Sequence, residues 1–280
     1  MSGDVAGYYD SNTRSFLEFG QGGSVGVIRR AVWGPGVTTR EQAFRYSDER
    51  LLEQAPEPTR RALDLGCGVG ASLEYMLRRR DIEAVGITLS GVQVELANRR
   101  LADAGLGDRA RCIKGDYTDL PAELGTFDFA YAIEAFLHSP SADAFFREAG
   151  RALRPGGVLS LVDDFASERL ERPGLSFRER RWAREFREGW SASSLIPMSR
   201  ACEIASRHGF ELRSDEDVTE HVELRRPRDL AITALVRLGR HIPTRHPRWL
   251  NLLGGNALQM LLMRRLVTYR IVSWRKREEA

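Results

Sequence analysis

The chain has 280 residues, of which 42% are apolar and 29% are charged, a composition typical of one soluble α/β domain with elaborations. Its formal net charge of +3 is too small to indicate a nucleic-acid partner, and no apolar run approaches the ~20 residues that span a bilayer. The N-terminus lacks the basic and apolar regions of a signal peptide, and Cys67, Cys112 and Cys202 form no CxxC pair, so we expect a cytoplasmic protein without a structural zinc site or a disulfide framework.

The first 58 residues precede the segments that predict a sheet, and we expect them to form a helical N-terminal cap. The tetrapeptide WGPG at 33–36 marks a turn within this cap. Residues 59–280 are expected to form the core of the fold, with lid insertions at about 167–197 and 224–263.

Apolar runs that predict buried strands alternate with segments of helical periodicity. The strands are RALDLG (61–66), EAVGITL (83–89), ARCIKGD (110–116), TFDFAYAIEA (126–135) and VLSLVDDF (158–165). The helices between them are predicted at 69–80, at 90–105 with Ser90 as N-cap, and at 141–157, where Pro-Gly-Gly ends the helix. This alternation predicts an α/β fold with a doubly wound parallel sheet.

Two segments interrupt the alternation. Residues 167–197 are rich in arginine and aromatic side chains, and residues 224–263 are helical and apolar on one side. A last strand-like segment, LVTYRIVSWRK, covers 266–276. The two interrupting segments are therefore the predicted lid insertions.

Three alternate glycines follow the first predicted strand in LDLGCGVG (63–70). In a doubly wound sheet, ligands bind beyond the carboxyl ends of the strands. Gly66, Gly68 and Gly70 supply a tight turn without side chains, which lets a ligand approach the backbone. The spacing differs from the GxGxxG of dinucleotide sites, and Asp64 stands two residues before the first glycine.

This stretch resembles the first motif of class I S-adenosylmethionine-dependent methyltransferases, whose fold is Rossmann-like. Four further stretches match that family in order: VGITLSGVQVELA, KGDYTDLP, FDFAYAIEAFLH and RALRPGG. The resemblance covers roughly residues 60–165 and implies S-adenosylmethionine as cofactor. The cofactor-binding positions that it implies are Tyr8, Asp64, Gly66, Cys67, Gly68, Gly70, Thr88, Leu89, Gln93, Asp116, Tyr117 and Ile133.

The resemblance also implies separate roles for these side chains. Asp64 is expected to face the amino group of the cofactor. Thr88 stands where the family usually has an acidic ribose ligand, and GITLSxxQ resembles the variant of tocopherol, sterol and cyclopropane-type methyltransferases, in which the glutamine, Gln93 here, contacts the ribose. Asp116 is expected to accept from the adenine amine, and Tyr117 to pack on the adenine ring.

The stretch YAIEAFLHSP (131–140) resembles the YAIEATCHAP signature of sterol C-methyltransferases, from which it departs at Phe136, Leu137 and Ser139. Methylation of an alkene leaves a carbocation, which a carboxylate or aromatic faces stabilise before a proton is removed. Glu134 is the candidate base or electrostatic stabiliser, with His138 as its orienter or an alternative base.

The expected function is C-methylation of an isoprenoid or terpenoid double bond, sterol-like or in a prenyl diphosphate, in specialised metabolism. The acceptor is thus a lipophilic small molecule. The aromatic side chains expected to line its pocket are Tyr9, Trp182, Phe186 and Trp190, together with Tyr8. No nucleic-acid partner and no transmembrane segment are expected, and the sequence leaves a homodimer open.

An O-methyltransferase remains an alternative. A phenol or sugar hydroxyl needs a general base with a pKa near neutrality, and histidine meets this demand. In this reading His138 pairs with Asp163 or Asp164 at the end of the fifth predicted strand.

A second open point is the charge of the acceptor. Arginines at 29, 30, 40 and 45, and those between 178 and 187, could clamp a diphosphate, which would also require Mg²⁺. The alternating RERRWAREFRE (178–188) is more typical of a solvated helix face with i,i+4 pairs. A neutral acceptor is therefore favoured, and Mg²⁺ is expected only with a diphosphate.

Overall fold

The computed structural model describes residues 26–239 and 246–278. Residues 1–25 of the predicted cap lie outside these ranges, and with them the predicted binding residues Tyr8 and Tyr9. The strands are β1 Arg61–Leu65, β2 Glu83–Thr88, β3 Ala110–Lys114, β4 Phe127–Ile133, β5 Leu153–Ala166, β6 Phe210–Asp217 and β7 Val267–Lys276. The α-helices are α1 Arg40–Gln54, α2 Ala71–Leu77, α3 Gly91–Asp103, α4 Ala142–Ala152, α5 Glu168–Glu171, α6 Phe177–Gly189, α7 Met198–Arg207, α8 Pro227–Gly239 and α9 Pro247–Met263.

In the described ranges the strands form one seven-stranded sheet in the order β3-β2-β1-β4-β5-β7-β6. The first five strands are parallel, whereas β7 runs antiparallel to both β5 and β6. This confirms the predicted α/β fold with a doubly wound sheet. The last strand matches the predicted 266–276 segment, and β6 was not predicted. Within the described residues, no helix combines the length and the apolar character needed to cross a membrane.

The predicted helix boundaries hold best where a polar cap defines them. Ser90 precedes α3 and its side chain accepts from the Gln93 amide at 3.2 Å, as expected of an N-cap. The helix that was expected to be ended by Pro-Gly-Gly is α4, which ends at Ala152, and Leu153 is already extended. Pro155 agrees with this end, since the residue before a proline is driven away from helical backbone angles.

An aromatic cluster fills the space between α4 and the sheet. Phe146 lies within 5.4–6.2 Å, between ring centroids, of Phe136, Phe145, Phe210 and Trp274. All five side chains are buried. The cluster anchors the short 3-10 turn at 136–138, which follows β4 and carries His138.

The two predicted lid segments pack on each other as helices. A side chain on Gly189 of α6 would lie 2.4 Å from the carbonyl oxygen of Leu250 and 3.0 Å from Gly254. The backbones of α6 and α9 therefore cross in contact at these glycines. The division into cap, core and lid stays a prediction.

Loss of the Phe146 ring should test the aromatic cluster. We expect Phe146→Ala to lower the free energy of unfolding by about 3–5 kcal/mol, because it removes a fully buried ring that its neighbours cannot replace. Urea unfolding measures this change. Phe177→Ala, at a phenylalanine that is 69% exposed, is the control, and its effect should stay within about 0.5 kcal/mol. Equal losses in both variants would contradict the packing described here.

Candidate active site

The strand order reverses between β1 and β4, so a crevice is expected beyond their carboxyl ends. β1 ends beside Asp64 and the glycine turn, and β4 ends beside Glu134. Asp163 and Asp164 lie near the same end of β5, the next strand of the sheet. The topology therefore brings four carboxylates to one edge of the sheet.

The glycine turn is held by its neighbours at both ends. A side chain on Gly66, whose φ is 100°, would lie 2.5 Å from the Ala135 methyl group. At Gly70 it would lie 3.0 Å from the methyl group of Ala97 on α3. Gly68 differs, because a side chain there would meet no described atom within 4 Å. Protein packing thus explains Gly66 and Gly70, and Gly68 marks the open side from which a ligand can approach.

Cys67 lies inside the turn rather than on its open side. Its amide and that of Gly66 donate to the Ile87 carbonyl at 2.9 and 3.0 Å. Its buried sulfur packs over Gly86, where a side chain would lie 2.7 Å from it. Its backbone therefore fastens the turn to β2.

Asp64 is a buried carboxylate, and none of the residues that the structure describes places a cation close enough to balance its charge. Burial raises its pKa to about 7, although the Tyr131 hydroxyl and, more weakly, Arg29 lower the pKa. The nearby Asp48 carboxylate raises it further. A positively charged group placed beside Asp64 would therefore be strongly favoured over water.

Two residues of the predicted ribose site contact each other: Thr88 at the end of β2 and Gln93 on α3. The Thr88 hydroxyl donates to the Gln93 side-chain oxygen at 2.6 Å, and both side chains are buried. Leu89, between them in the chain, is half-buried. Their contact with a ribose stays a prediction.

The residues predicted to bracket adenine occupy the loop after β3. The Asp116 carboxylate accepts from the amide and hydroxyl of Thr118 at 2.8 and 2.7 Å, which shapes the loop. The Tyr117 hydroxyl donates to the Ala135 carbonyl at 2.8 Å. Its ring carbon lies 3.9 Å from the position of a Gly66 side chain, so the ring lies beside the glycine turn. Ile133, half-buried, ends β4 on the same edge.

Glu134 is held by a cation and a phenol from distant parts of the chain. Its Oε1 accepts from the amide and Nε of Arg30 at 3.1 and 3.0 Å and from the Tyr269 hydroxyl at 2.8 Å. The Arg30 guanidinium also donates to both oxygens of Asp164, at 2.9 and 2.7 Å, and lies 4.0 Å from the centre of the Tyr269 ring. The backbone φ of Glu134 is 50°, an uncommon value for this residue type that is often found at functional sites.

The acidic groups around Arg30 differ in their protonation states. Burial alone would raise the pKa of Glu134, but Arg30 and Tyr269 outweigh it and lower the pKa, so the carboxylate is ionised. Burial and the adjacent Asp164 raise the pKa of Asp163 to about 8. Burial also raises the pKa of Tyr269 well above its usual value, which keeps its hydroxyl protonated as a donor.

His138 connects the site to the lid. Burial lowers its pKa, and the backbone of Trp190 and Ser191 hydrogen-bonds its imidazole and partly offsets this effect. Asp163, one of its expected partners, accepts from the amides of Leu137 and Asp164 at 3.1 and 2.8 Å. Asp164, the other, is bound by Arg30. The lowered pKa favours a neutral imidazole, which the backbone at Trp190 and Ser191 holds in place.

Three of the aromatic residues predicted to line the acceptor pocket lie in the first predicted lid segment, whereas Tyr8 and Tyr9 lie outside the described residues. Trp182 and Phe186 are buried in the cluster that contains Leu258 and Leu261 of α9. The Trp190 indole donates to the Asn251 carbonyl of α9 at 3.2 Å. These three rings support the contact between α6 and α9, and their contact with an acceptor stays a prediction.

The arginines before the sheet that could clamp a diphosphate have acidic partners within the protein. Arg30 binds Glu134 and Asp164, and Arg29 donates to Asp48 and to Ser72. Arg45 also binds Asp48 and Arg40 binds Glu223. The guanidinium groups of these four arginines are therefore paired with carboxylates of the protein itself. On α6, Arg178 and Arg184 are exposed. Across the described ranges, no cluster of three or more His, Cys, Asp or Glu side chains is arranged to hold a metal ion.

Comparisons with known proteins agree with this arrangement. The family description "Methyltransferase domain" matches residues 62–157. The sterol 24-C-methyltransferase of Schizosaccharomyces pombe is 28% identical over 217 residues, which cover 78% of this chain and 56% of that protein. The chain thus spans little more than half the length of this relative.

Two solved structures share the fold over almost the whole chain. The 4+2 cyclase SpnF has a TM-score of 0.73 and 24% identity, with coverage of 100% of this chain and 97% of that chain. The geranyl diphosphate C-methyltransferase of Streptomyces coelicolor A3(2), solved with Mg²⁺, geranyl diphosphate and S-adenosyl-L-homocysteine, has a TM-score of 0.70 and 16% identity, with coverage of 98% and 97%.

The pKa of Asp64 gives a stability test. A carboxyl whose folded pKa lies near 7, above an ordinary 3.8, contributes stability below pH 4 that is lost as pH rises through 7. The wild-type protein should therefore lose up to about 4 kcal/mol between pH 4 and pH 8 relative to Asp64→Asn. Urea unfolding across this range measures the difference. Asp108→Asn controls for removal of an exposed carboxylate. Parallel curves for wild type and Asp64→Asn would contradict the assignment.

Proposed function

Since the chain carries a class I S-adenosylmethionine-dependent methyltransferase domain and resembles the sterol C-methyltransferases, we propose that it methylates a carbon–carbon double bond of a neutral, isoprenoid-type acceptor. The observation that carries this proposal is the ionised Glu134 carboxylate, fixed by Arg30 and Tyr269 at the strand end beside the glycine turn. We place this reaction in specialised metabolism.

The residues at the switch in strand order fit the cofactor. Gly68 leaves the turn open on one side, and Asp64 is a buried carboxylate that gains from a cationic partner such as an amino group. Thr88 and Gln93 would hold the ribose, and Asp116 the adenine amine. When bound, S-adenosylmethionine supplies an electrophilic methyl group on a positively charged sulfur. Positioning of the acceptor in line with that methyl group supplies much of the acceleration.

Glu134 has the charge that alkene methylation requires. Methylation of one alkene carbon leaves a positive charge on its neighbour, and a fixed carboxylate stabilises this charge best where water is excluded. Its lowered pKa suits this electrostatic role, and a carbocation is acidic enough to lose a proton even to a weak base. The neutral imidazole of His138 can also accept the proton.

The buried ion pairs favour a neutral acceptor over a diphosphate. A diphosphate bound by Arg30 would have to displace Glu134 or Asp164, and a buried carboxylate left without its partner costs about 3–5 kcal/mol. Arg29 and Arg45 are likewise engaged with Asp48. Arg29, Arg30 and Arg45 therefore stabilise the protein, and their guanidinium groups are already engaged with its own carboxylates.

O-methylation is the second candidate, and the state of His138 favours it. A neutral imidazole can take the proton of a phenol or sugar hydroxyl. This reading depends on His138, whereas alkene methylation depends on Glu134, so substitutions separate the two.

Glu134→Gln should reduce alkene methylation at least about 100-fold, because it removes the fixed negative charge. Binding of S-adenosylmethionine should change little, since Arg30 keeps its hydrogen bonds to Asp164. Single-turnover rates and calorimetric titrations measure the two effects. Glu123→Gln, at an exposed position, is the matched control. A larger loss with His138→Ala than with Glu134→Gln would instead support O-methylation.

An acceptor panel tests the substrate class. Purified protein with methyl-labelled S-adenosylmethionine should label neutral sterols or terpenoid alkenes, and EDTA should not reduce the incorporation, because no diphosphate needs a metal counter-ion. Prenyl diphosphates with and without Mg²⁺, and phenols, complete the panel. Incorporation only into phenols, or only into prenyl diphosphates with Mg²⁺, would contradict a neutral alkene acceptor.

A further inference from the structure

Helix α8 exposes a row of leucines. Leu230, Leu235 and Leu238 are 57%, 50% and 82% exposed, and at 3.6 residues per turn they fall within an arc of about 140° on the exposed face of the helix. The opposite side is packed, since Val236 and Gly239 are buried and the Thr233 hydroxyl donates to Asn256 of α9 at 2.8 Å. Exposed leucines grouped on one face of a helix, opposite its packed face, indicate an interaction surface.

The surroundings of this row are basic. Arg225, Arg228, Arg237 and Arg248 are exposed, and within the described ranges none of them pairs with an acidic side chain. The single acid between residues 224 and 239 is Asp229, which is buried and bound by Arg226 at 2.8 Å. Helix α9 contains no acid at all. Apolar side chains flanked by unpaired arginines match an anionic lipid surface.

We propose that α8, with the start of α9, docks on the surface of an anionic lipid bilayer. The leucines enter the interfacial region, and Arg228 and Arg237 contact phosphate groups of the lipids. A second copy of the chain fits this face less well, because a twofold contact would place the same unpaired arginines against each other. The proposal does not depend on the identity of the acceptor.

The position of this face connects it to the active site. α8 packs on α9, and α9 crosses α6 at Gly189. The next residues, Trp190 and Ser191, hydrogen-bond His138 through their backbone. Docking through α8 therefore turns the lid toward the bilayer, where a lipophilic acceptor would reside.

Vesicle binding of the full chain tests the proposal. In flotation assays the protein should bind vesicles that contain phosphatidylglycerol more strongly than vesicles of phosphatidylcholine alone, and added salt should weaken this binding. Leu230→Asn/Leu235→Asn/Leu238→Asn and, separately, Arg228→Glu/Arg237→Glu should each reduce partitioning about tenfold or more.

Matched controls distinguish binding through this face from nonspecific vesicle binding. Leu212→Asn replaces a leucine of β6 that is 49% exposed, and Arg99→Glu/Arg111→Glu makes the same change of charge elsewhere on the surface. Both controls should keep wild-type binding, and circular dichroism verifies that every variant is folded. Absence of vesicle binding by the wild type, or equal binding by the triple leucine variant, overturns the proposal. A dimer in light scattering that this variant dissociates, without vesicle binding, would instead identify a second copy as the partner.

Discussion

The candidate active site depends on one largely buried guanidinium. Arg30 reaches the site from the segment before the first strand and forms ion pairs with both Glu134 at the end of β4 and Asp164 near the end of β5. Without it, two carboxylates would remain desolvated beside each other, which proteins avoid by changing protonation or structure. The Tyr269 hydroxyl from the last strand adds a further donor. The site is complete only when the beginning and the end of the chain have both folded onto the central strands.

The carboxylates in this crevice differ in their charge states. Glu134 has a cation and remains ionised, whereas the buried Asp64 has a pKa of about 7. Environments that move the pKa values of neighbouring groups apart assign them different roles. Gly66 couples the two positions physically, because its Cα packs against Ala135, the residue after Glu134. The turn proposed to hold the methyl donor and the carboxylate proposed to stabilise the product cation are therefore parts of one packed unit.

Short-range patterns predicted the parallel half of the sheet and the positions of its strand ends. Buried strands such as β1 are apolar on both faces, and a polar cap such as Ser90 defines a helix start locally. β6 was missed because most of its side chains are exposed or half-buried, so that FELRSDED has no apolar run. Tyr269 was missed for another reason. It lies 135 residues from Glu134, and nothing in the local sequence indicates which distant residue will complete a site.

The sequence was ambiguous where the same residue pattern suits either a ligand site or packing within the protein. Trp182 and Phe186 are four residues apart, a spacing that suits either a pocket wall or a helix core, and the structure buries them against α9. The arginines at 29 and 30 could equally bind an anionic ligand or internal acids until their partners were known. In the glycine turn, Gly66 and Gly70 are required by packing that only the folded chain shows.

A crystal structure with S-adenosyl-L-homocysteine bound would show where the sulfur lies relative to Glu134. We expect the nucleoside to lie along the open side of Gly68, with its amino group at Asp64. We also expect the sulfur to face the side of the crevice on which Arg30 holds Glu134. A nucleoside bound elsewhere, or a Glu134 carboxylate that leaves Arg30 to bind the nucleoside itself, would contradict the proposed roles of Asp64 and Glu134.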